Sequence, residues 1–334
     1  MDLYVYNSLK KTKKQGFNIE TKKIHYIPNI NANNTLLYSP HPLFSHKYDV
    51  LVLMLHFAHL TTWFLLLTKW LHRKRIILWG QGISVKRYLH EEKKPDWKLK
   101  MMIAMADGVW IYEEPEAKQW QKIFPKKPIV ALNNTLTGVE EMCENAVFDS
   151  EKKKALKEKW HITQEVVLIF CARFENNYRR TDLLLETIQQ LDAQQYGFII
   201  IGAGKNKPDF SPYPNVHDFG AVYDNTVKRE LFAAADIYFQ PGWVGLSIVE
   251  AMAYGKPVFT FRRSEETLQC VEYCYIDEGK TGLIFDDMDD CLTQIRNLKR
   301  EAIERMGRKA QVLVKEKLTP RQMATNALRV LNEI

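Results

Sequence analysis

The chain has few cysteines, and their arrangement does not indicate a disulfide scaffold or a zinc site. Its 334 residues contain five cysteines, an odd number, at positions 143, 171, 270, 274 and 291. Cys270 and Cys274 are four residues apart, but no second pair of Cys or His accompanies them at zinc-finger spacing. We therefore expect reduced thiols in a protein core and a cytoplasmic location.

Other signals are also missing. No Asp-x-Asp metal motif flanked by apolar residues stands out, and the acidic residues 286, 287, 289 and 290 resemble helix caps and solvated charges. No nucleic-acid-binding motif or interleaved basic and aromatic pattern appears. Before residue 16 there is neither the apolar strand nor the glycine-rich turn that usually opens a Rossmann-like half, and residues 2–15 instead suggest an amphipathic helix. These absences predict metal independence, no nucleic-acid partner, and either a trimmed first domain or a reading frame that begins late.

Charge is distributed unevenly along the chain. The net charge is +7, but residues 1–127 contain 21 Lys and Arg against 10 Asp and Glu, which is +11 and leaves −4 for the remainder. A basic first half suggests an anionic partner. An anionic membrane surface fits this pattern better than nucleic acid, because each basic residue near lipid contributes roughly 1 kcal/mol. A merely solvated basic face is the alternative.

Apolar runs alternate with helical segments, which predicts an α/β protein with parallel sheets and helices on both faces. The hydrophobic fraction of 46% indicates a globular chain, long enough for two domains. No charge interrupts Val50–Thr68, so a transmembrane span has to be considered. His56, His59 and two threonines in this tract favour a strand followed by a buried or membrane-grazing helix.

The chain is organised around residues 239–258. An apolar run ends at Pro241-Gly242, Gly245 allows close approach of a ligand, and a short helix from Ser247 ends at Gly255. Free backbone N–H groups at such a helix start form a phosphate site, and Glu250 one turn later could bind sugar hydroxyls. An ordinary strand–helix connection with a solvated glutamate is the alternative.

Two other strands are predicted to end near a ligand. Glu165–Arg173 is a buried strand that ends on an arginine, and Tyr196–Gly204 ends in a turn containing Gly202 and Gly204. Ligands in open α/β sheets bind at the carboxyl ends of strands. Arg173 and the glycine turn are therefore candidate site residues, with surface arginines as the alternative.

The sequence Pro-Gly-x-x-Gly-Leu-x-x-x-Glu-Ala-Met-Ala-x-Gly-x-Pro-Val resembles the donor-binding signature of family 4 retaining glycosyltransferases, which have the GT-B fold. The resemblance is strong over about 165–290 and weak before 130. It differs at Gly242, where the family has the first of two glutamates. The resemblance implies an N-terminal acceptor-side Rossmann-like domain (1–137, with the C-terminal helix 319–334) facing a nucleotide-sugar-binding domain (138–318) across a cleft.

The resemblance also implies roles for individual residues. Arg173 and Arg179 would neutralise the donor diphosphate. Independently of the resemblance, His56 and His59 follow a buried strand and are the first-domain residues best placed to touch the acceptor, so His56 is a candidate catalytic residue, although a lone histidine is more often packed than catalytic. Gln81, Gly82 and His59 would lie on the acceptor side. The residues that would bind the donor are Gly202, Gly204, Val222, Gly242, Gly245, Leu246, Ser247 and Glu250.

These patterns predict a retaining hexosyltransferase, peripheral on a membrane, that acts in cell-surface polysaccharide assembly. It would move a sugar from a UDP- or GDP-linked donor to a glycan or lipid-linked acceptor, with no cofactor besides this co-substrate. A non-catalytic sugar-nucleotide-binding partner subunit is the alternative motivated by Gly242. A GT-B sugar-nucleotide epimerase is a third possibility, but the acid/base groups that it needs around the donor sugar are not found.

Overall fold

The computed structural model describes residues 2–6, 24–32, 35–83 and 95–334. The chain divides into two compact units. The first comprises the described residues up to Ile83, those from 95 to Ala131, and Leu328–Ile334, and the second comprises Leu132–Ala327. Each unit contains its own hydrophobic core.

Four short strands open the first unit. β1 (Leu3–Val5) pairs in parallel with β2 (Ile24–Tyr26), and β3 (Asn29–Ala32) forms an antiparallel hairpin with β4 (Thr35–Tyr38). The predicted helix over 2–15, and the expectation of no strand before residue 16, are therefore wrong at β1. Its Leu-Tyr-Val sequence suits a strand and finds a partner in β2. Residues 7–15 lie outside the described part of the chain.

A four-stranded parallel sheet forms the centre of the first unit. Its strands, in spatial order, are β5 (Val50–Met54), β6 (Arg75–Gly80), β7 (Gly108–Ile111) and β8 (Ile129–Ala131). Strands covered on both faces are apolar throughout, and β6 and β7 are buried along almost their whole length. The sequence prediction of a parallel sheet is confirmed here.

The helices of the first unit are α1 (Leu60–Leu67), α2 (Lys69–His72), α3 (Trp97–Met105) and α4 (Glu114–Ile123). Asp96 caps α3, because its side chain accepts hydrogen bonds from two amides of the first turn. The uncharged tract Val50–Thr68 divides into β5 and α1, as the strand-plus-helix prediction required. Within the described residues, every helix is too short or too polar to cross a bilayer.

The second unit contains a six-stranded parallel sheet. The strands are β9 (Val166–Cys171), β10 (Tyr196–Ile201), β11 (Val216–Asp218), β12 (Ile237–Phe239), β13 (Val258–Phe261) and β14 (Gly282–Phe285). Their spatial order is β11-β10-β9-β12-β13-β14, which is the 3-2-1-4-5-6 order of a doubly wound sheet. The strand order reverses between β9 and β12. The connections that follow these two strands therefore run in opposite directions along the sheet.

Eight helices occur in the rest of the described chain. They are α5 (Val139–Glu144), α6 (Ser150–Lys159), α7 (Thr181–Gln190), α8 (Asn225–Ala234), α9 (Ser247–Ala253), α10 (Met288–Asn297), α11 (Arg300–Lys317) and α12 (Pro320–Glu333). The sequence predicts that residues 290–317 are helical, but the structure divides this stretch into two helices, α10 and α11. Leu298 leaves the helical conformation and packs against the buried core, which separates α10 from α11. Asp287 caps α10, as predicted, by accepting a hydrogen bond from the Asp290 amide.

Candidate functional site

Three predicted loops lie at the same edge of the second sheet. Arg173 follows β9, Gly202 and Gly204 follow β10, and the turn over residues 240–247 follows β12. Strands β10, β9 and β12 are neighbours in space. A ligand of a doubly wound sheet binds outside the carboxyl ends of the strands where their order reverses, and that point lies between β9 and β12.

A buried amide side chain organises the turn over residues 240–247, which we call the donor turn. Gln240 is fully buried. Its Nε2 donates to the carbonyls of Gly242 (3.1 Å) and Trp243 (2.6 Å). Its Oε1 accepts from the hydroxyls of Tyr238 (2.6 Å) and Ser247 (3.2 Å). Four hydrogen bonds from one side chain therefore hold the shape of the donor turn.

Three consecutive backbone amides of the donor turn have no acceptor. The N–H groups of Gly245, Leu246 and Ser247 donate no hydrogen bond to any residue that the structure describes. The amide of Ile248 already bonds to the Gly245 carbonyl (3.0 Å), so the first turn of α9 begins here. Unpaired N–H groups at a helix start can bind an anion, although α9 itself has only seven residues.

Arg179 lies against the donor turn. Its Nη1 donates to the Trp243 carbonyl over 2.6 Å. The guanidinium is half-buried, and it makes no ion pair with any carboxylate in the described part of the chain. Burial lowers the pKa of Arg179 from its ordinary value. A half-buried positive charge without a counter-charge favours an anionic ligand, because burying an unpaired charge is costly.

Arg173 is placed differently. Strand β9 ends at Cys171, two residues before the arginine on which the strand was predicted to end. The Arg173 side chain is exposed and makes no hydrogen bond or ion pair with the residues described. The structure therefore brings Arg179 into contact with the donor turn, and it leaves Arg173 at the sheet edge with its guanidinium unpaired.

Glu250 is buried on α9 and paired with a cation. Its Oε2 accepts a hydrogen bond from Lys228 Nζ on α8 over 2.7 Å. Burial alone would lower the pKa of Lys228, but attraction from Cys171 and Glu250 together with this hydrogen bond raises it. Glu250 is therefore not the solvated carboxylate of the alternative interpretation. Its second oxygen makes no hydrogen bond to a described residue.

Packing requires a glycine at position 242 but not at position 245. A Cβ at Gly242 would lie 2.4 Å from the Tyr178 carbonyl oxygen, so no side chain fits there. A Cβ at Gly245 would meet only the Cys270 sulfur at 3.8 Å, an ordinary contact. No Cβ can be accommodated at position 242, whereas the surrounding residues leave room for one at position 245.

The loops after β10 and β11 are shaped by the backbone. A Cβ at Gly202 would lie 2.0 Å from the Ala172 carbonyl oxygen, and one at Gly204 would lie 2.5 Å from Phe174. Both glycines thus let the loop pack against the chain after β9. Val222 lies beyond the end of β11, half-buried against the core of the second unit. Residues 215–222 resemble a family strand that ends at Val222, but in the structure β11 ends earlier, at Asp218.

The acceptor-side candidates lie in the first unit. His56 follows β5, and its Nδ1 accepts from the Ala58 amide over 3.2 Å. The rings of His56 and His59 have centroids 4.8 Å apart. Burial, together with the charge of His56, lowers the pKa of His59 to about 4. His59 is therefore a neutral hydrogen-bonding group near pH 7.

Gln81 and Gly82 follow β6, the neighbour of β5. Gly82 has φ of 75°. A Cβ there would lie 1.8 Å from Glu116 Oε1, which accepts a hydrogen bond from the Ile83 amide (2.9 Å). Because Gly82 has no Cβ, the buried carboxylate of Glu116 can bind this loop. Gly82 therefore has a structural reason to be glycine, in addition to its predicted role on the acceptor side.

Three residues of the site were not identified from the sequence: Gln240, Gln269 and Lys228. Gln269 Oε1 accepts from the Val244 amide (2.9 Å), and its Nε2 donates to the Phe261 carbonyl (2.9 Å). A polar residue directly after a buried strand is a signal that could have indicated Gln240. Gln269 and Lys228 carry no such signal, because only tertiary contacts bring them to the turn.

Comparison with known proteins agrees with this geometry. Residues 165–301 match the family model described as glycosyl transferases group 1. No curated protein matches the chain significantly. The chain is similar to HepE of Anabaena, crystallised with UDP, at 13% identity and a TM-score of 0.65 over 99% of this chain and 91% of that one.

Two other solved structures are similar over most of their length. A glycosyltransferase from Rickettsia africae shows 14% identity and a TM-score of 0.64, covering 99% of this chain and 89% of that one. The lipopolysaccharide outer core galactosyltransferase WaaB shows 13% identity and a TM-score of 0.59, covering 87% and 77%. The predicted α/β fold of GT-B type with two Rossmann-like units is confirmed, and the match to the group 1 glycosyltransferase model lies within the second unit.

Proposed function

We propose that the protein transfers a hexose from a UDP- or GDP-linked donor to a glycan or lipid-linked acceptor. The reaction proceeds with retention of anomeric configuration, without a metal ion, in the assembly of a cell-surface polysaccharide. The group 1 domain supports sugar transfer from a nucleotide donor. HepE was crystallised with UDP and with UDP-glucose, which supports a uridine donor. WaaB, a lipopolysaccharide galactosyltransferase by its title, supports a surface-glycan acceptor.

The observation that carries the proposal is a group of anion-binding donors that no carboxylate of the described residues satisfies. Arg179 presents a half-buried, unpaired guanidinium to the donor turn. Gly245, Leu246 and Ser247 present amides without acceptors in the described chain. A diphosphate satisfies both, because its oxygens accept charge-assisted hydrogen bonds from guanidinium and amide groups. Arg173, exposed at the neighbouring strand end, adds a second cation to this edge of the sheet.

This arrangement suits a diphosphate leaving group. Negative charge grows on the nucleoside diphosphate as the glycosidic bond breaks, and preorganised donors stabilise that charge in the transition state. Arg173 and Arg179 therefore act in catalysis as well as in binding. Glu250, whose Oε2 is held by Lys228, offers its other oxygen to the ribose hydroxyls. The glycine loop at 202–204 and Val222 lie beside the nucleotide.

On the acceptor side, His56, His59, Gln81 and Gly82 follow the carboxyl ends of β5 and β6. The two histidines lie in mutual contact, so either ring can hydrogen-bond to an acceptor hydroxyl. We assign His56 to the chemistry because it is the exposed member of the pair, whereas burial keeps His59 neutral.

One feature favours the alternative of a non-catalytic sugar-nucleotide-binding subunit. The first glutamate of the family signature is replaced by Gly242, and the Tyr178 carbonyl and the Arg180 side chain, 2.4 and 2.8 Å from a Cβ there, leave no room for it. The carboxylate therefore cannot be restored by substitution without moving the backbone. Such a protein would bind the donor through Arg179 and the amides and release no sugar.

Calorimetric titration of the full chain with UDP and GDP tests the anion site. Arg179→Ala is expected to weaken nucleotide binding by about 2–4 kcal/mol, the cost of losing a buried charged contact. Arg173→Ala is expected to weaken it by about 1.5–3 kcal/mol, the range of a hydrogen bond to a charged group. Arg300→Ala is the matched control, because that arginine pairs with Glu304 within α11. Unchanged affinity in Arg179→Ala would refute the site.

A transfer assay with labelled UDP- and GDP-sugars separates enzyme from binding subunit. Sugar release that Arg179→Ala reduces and a chelator leaves unchanged supports a metal-independent transferase. Nucleotide binding that raises the melting temperature, with no release of sugar from any donor, supports the binding subunit. The anomeric configuration of the product, read by NMR, decides retention.

A further inference from the structure

The first unit exposes a continuous apolar helix face. Leu67, Trp70 and Leu71 are 62%, 74% and 61% exposed, and Leu60 and Phe64 are also exposed. Positions 60, 64, 67 and 71 follow helical spacing, so their side chains lie on one side of α1 and α2. We call these five side chains the α1–α2 face. Exposed aromatic and leucine side chains grouped in this way mark a docking surface.

The α1–α2 face belongs to an anchored part of the fold. The opposite side of α1 is buried through Leu65 and Leu66 in the core of the first unit. Phe44 packs edge-on against Phe64, with ring centroids 6.4 Å apart, and extends the apolar surface. The exposed side chains therefore stand on a rigid base.

Basic residues predominate in the sequence that forms this face. No Asp or Glu occurs from residue 50 to residue 90. Lys69 is paired with Asp107. Arg73 and Arg75, directly after α2, are exposed, and their side chains make no hydrogen bond or ion pair with the described residues. Two unpaired cations thus border the apolar face.

A second helix presents the same combination. Helix α3 packs beside α1, and its exposed residues include Trp97 and Met101. Lys98 and Lys100 on the same helix are also exposed. Apolar side chains bordered by Lys and Arg suit an anionic lipid surface, where the apolar groups enter the acyl boundary and the cations meet the headgroups.

We infer that the α1–α2 face docks on an anionic membrane, with α1 and α2 lying in the interface plane and Arg73 and Arg75 against the headgroups. A second copy of the chain is a poorer occupant, because a two-fold contact would bring the cations of both copies into one interface. Docking through this face is independent of nucleotide binding, and it would bring the first unit to a lipid-linked acceptor.

Vesicle sedimentation tests this docking with the full chain. The probes are phosphatidylcholine vesicles with and without phosphatidylglycerol. Wild-type protein is expected to bind the anionic vesicles at low salt and to dissociate as salt is raised. The double variant Trp70→Ser with Leu71→Ser removes apolar contact, and Arg73→Gln with Arg75→Gln removes charge. Each is expected to lower the partition coefficient about tenfold or more.

Matched controls distinguish binding through the α1–α2 face from nonspecific binding to vesicles. Tyr223→Ser removes the most exposed aromatic side chain of the second unit, and Arg300→Gln with Arg305→Gln removes two exposed charges from α11. Both controls are expected to bind vesicles as the wild type does. All substituted side chains are exposed, so circular dichroism should show unchanged folding. Trp70→Phe adds a second readout: quenching by brominated lipid should fall while binding is retained.

Three results would overturn the inference. The first is no binding of the wild type to anionic vesicles at low salt. The second is full binding by the Trp70→Ser, Leu71→Ser variant. The third is a wild-type dimer, without lipid, that becomes monomeric in that variant, since the face would then be an interface between copies. Unchanged nucleotide affinity in the Arg179→Ala variant, with vesicle binding by the wild type as expected, would refute only the donor site.

Discussion

Gly242 and Gly245 show how neighbouring glycines in one turn can serve different purposes. At Gly242 the surrounding backbone and the Arg180 side chain occupy the place of a Cβ, and Trp243 beside it adopts φ of 52° and stacks on Tyr178. A Cβ at Gly245 would meet only the Cys270 sulfur, at 3.8 Å. Packing therefore explains the first glycine but not the second, which we proposed to contact the donor.

Alanine substitutions should separate these purposes. Gly242→Ala is expected to lower the free energy of unfolding by about 1–3 kcal/mol, because the new methyl group overlaps the Tyr178 carbonyl. Gly245→Ala is expected to change it by less than about 0.5 kcal/mol, while weakening nucleotide binding. Urea denaturation and calorimetry measure the two effects. Equal destabilisation by both substitutions would contradict the packing argument.

At the scale of elements, helix α8 connects a local cap to the site. Asp224 precedes the helix, and its side chain accepts from the amides of Thr226 (2.7 Å) and Val227 (3.0 Å). The Lys228 amide bonds to the Asp224 carbonyl (3.0 Å), so this first turn sets the position from which Lys228 reaches Glu250.

Removal of the cap should therefore affect both stability and the ion pair. Asp224→Ala is expected to lower the free energy of unfolding by about 1 kcal/mol, and Asp224→Ser should retain most of it, because serine is also a good cap. Hydrogen exchange should show faster exchange in the first turn of α8 for the alanine variant alone. If alanine and serine behave alike, the cap does not hold this helix start.

At the scale of the whole molecule, a buried lysine links folding to pH. Lys256 is almost fully buried, and its Nζ donates to the Ala235 carbonyl (2.9 Å). The adjacent Asp236 is already paired with Lys153 and Lys157. Burial in the first place, and then repulsion from Lys153, lowers the pKa of Lys256 from 10.5 to about 7.

The contribution of Lys256 to the free energy of unfolding should therefore increase as the pH rises above neutrality. Between the folded pKa of about 7 and the unfolded value of 10.5, the unfolded chain binds the extra proton, so the free energy of unfolding increases with pH. Relative to Lys256→Met, the wild type is expected to gain on the order of 1 kcal/mol per pH unit in this window and nothing below it. Urea denaturation of both proteins across this range measures the difference. A flat difference would show that Lys256 titrates normally in the folded protein.

The sequence alone determined the order and type of most elements. Apolar runs predict β9, β10 and β12, and Pro241, Gly242 and Gly255 mark the donor turn as a local signal in the sequence. Predictions were wrong where local pattern competed with packing. β1 depends on its partner β2, and the break between α10 and α11 depends on where Leu298 meets the core.

Only the tertiary structure decided which residues meet at the site. Arg179 reaches a carbonyl 64 residues away, and Lys228 reaches Glu250 from a different helix. The need for glycine at 242 depends on a carbonyl from another loop. The exposure of the α1–α2 face likewise depends on which side of each helix the core covers. Such contacts follow from strand order and helix placement, which the hydrophobic pattern along a single chain does not specify.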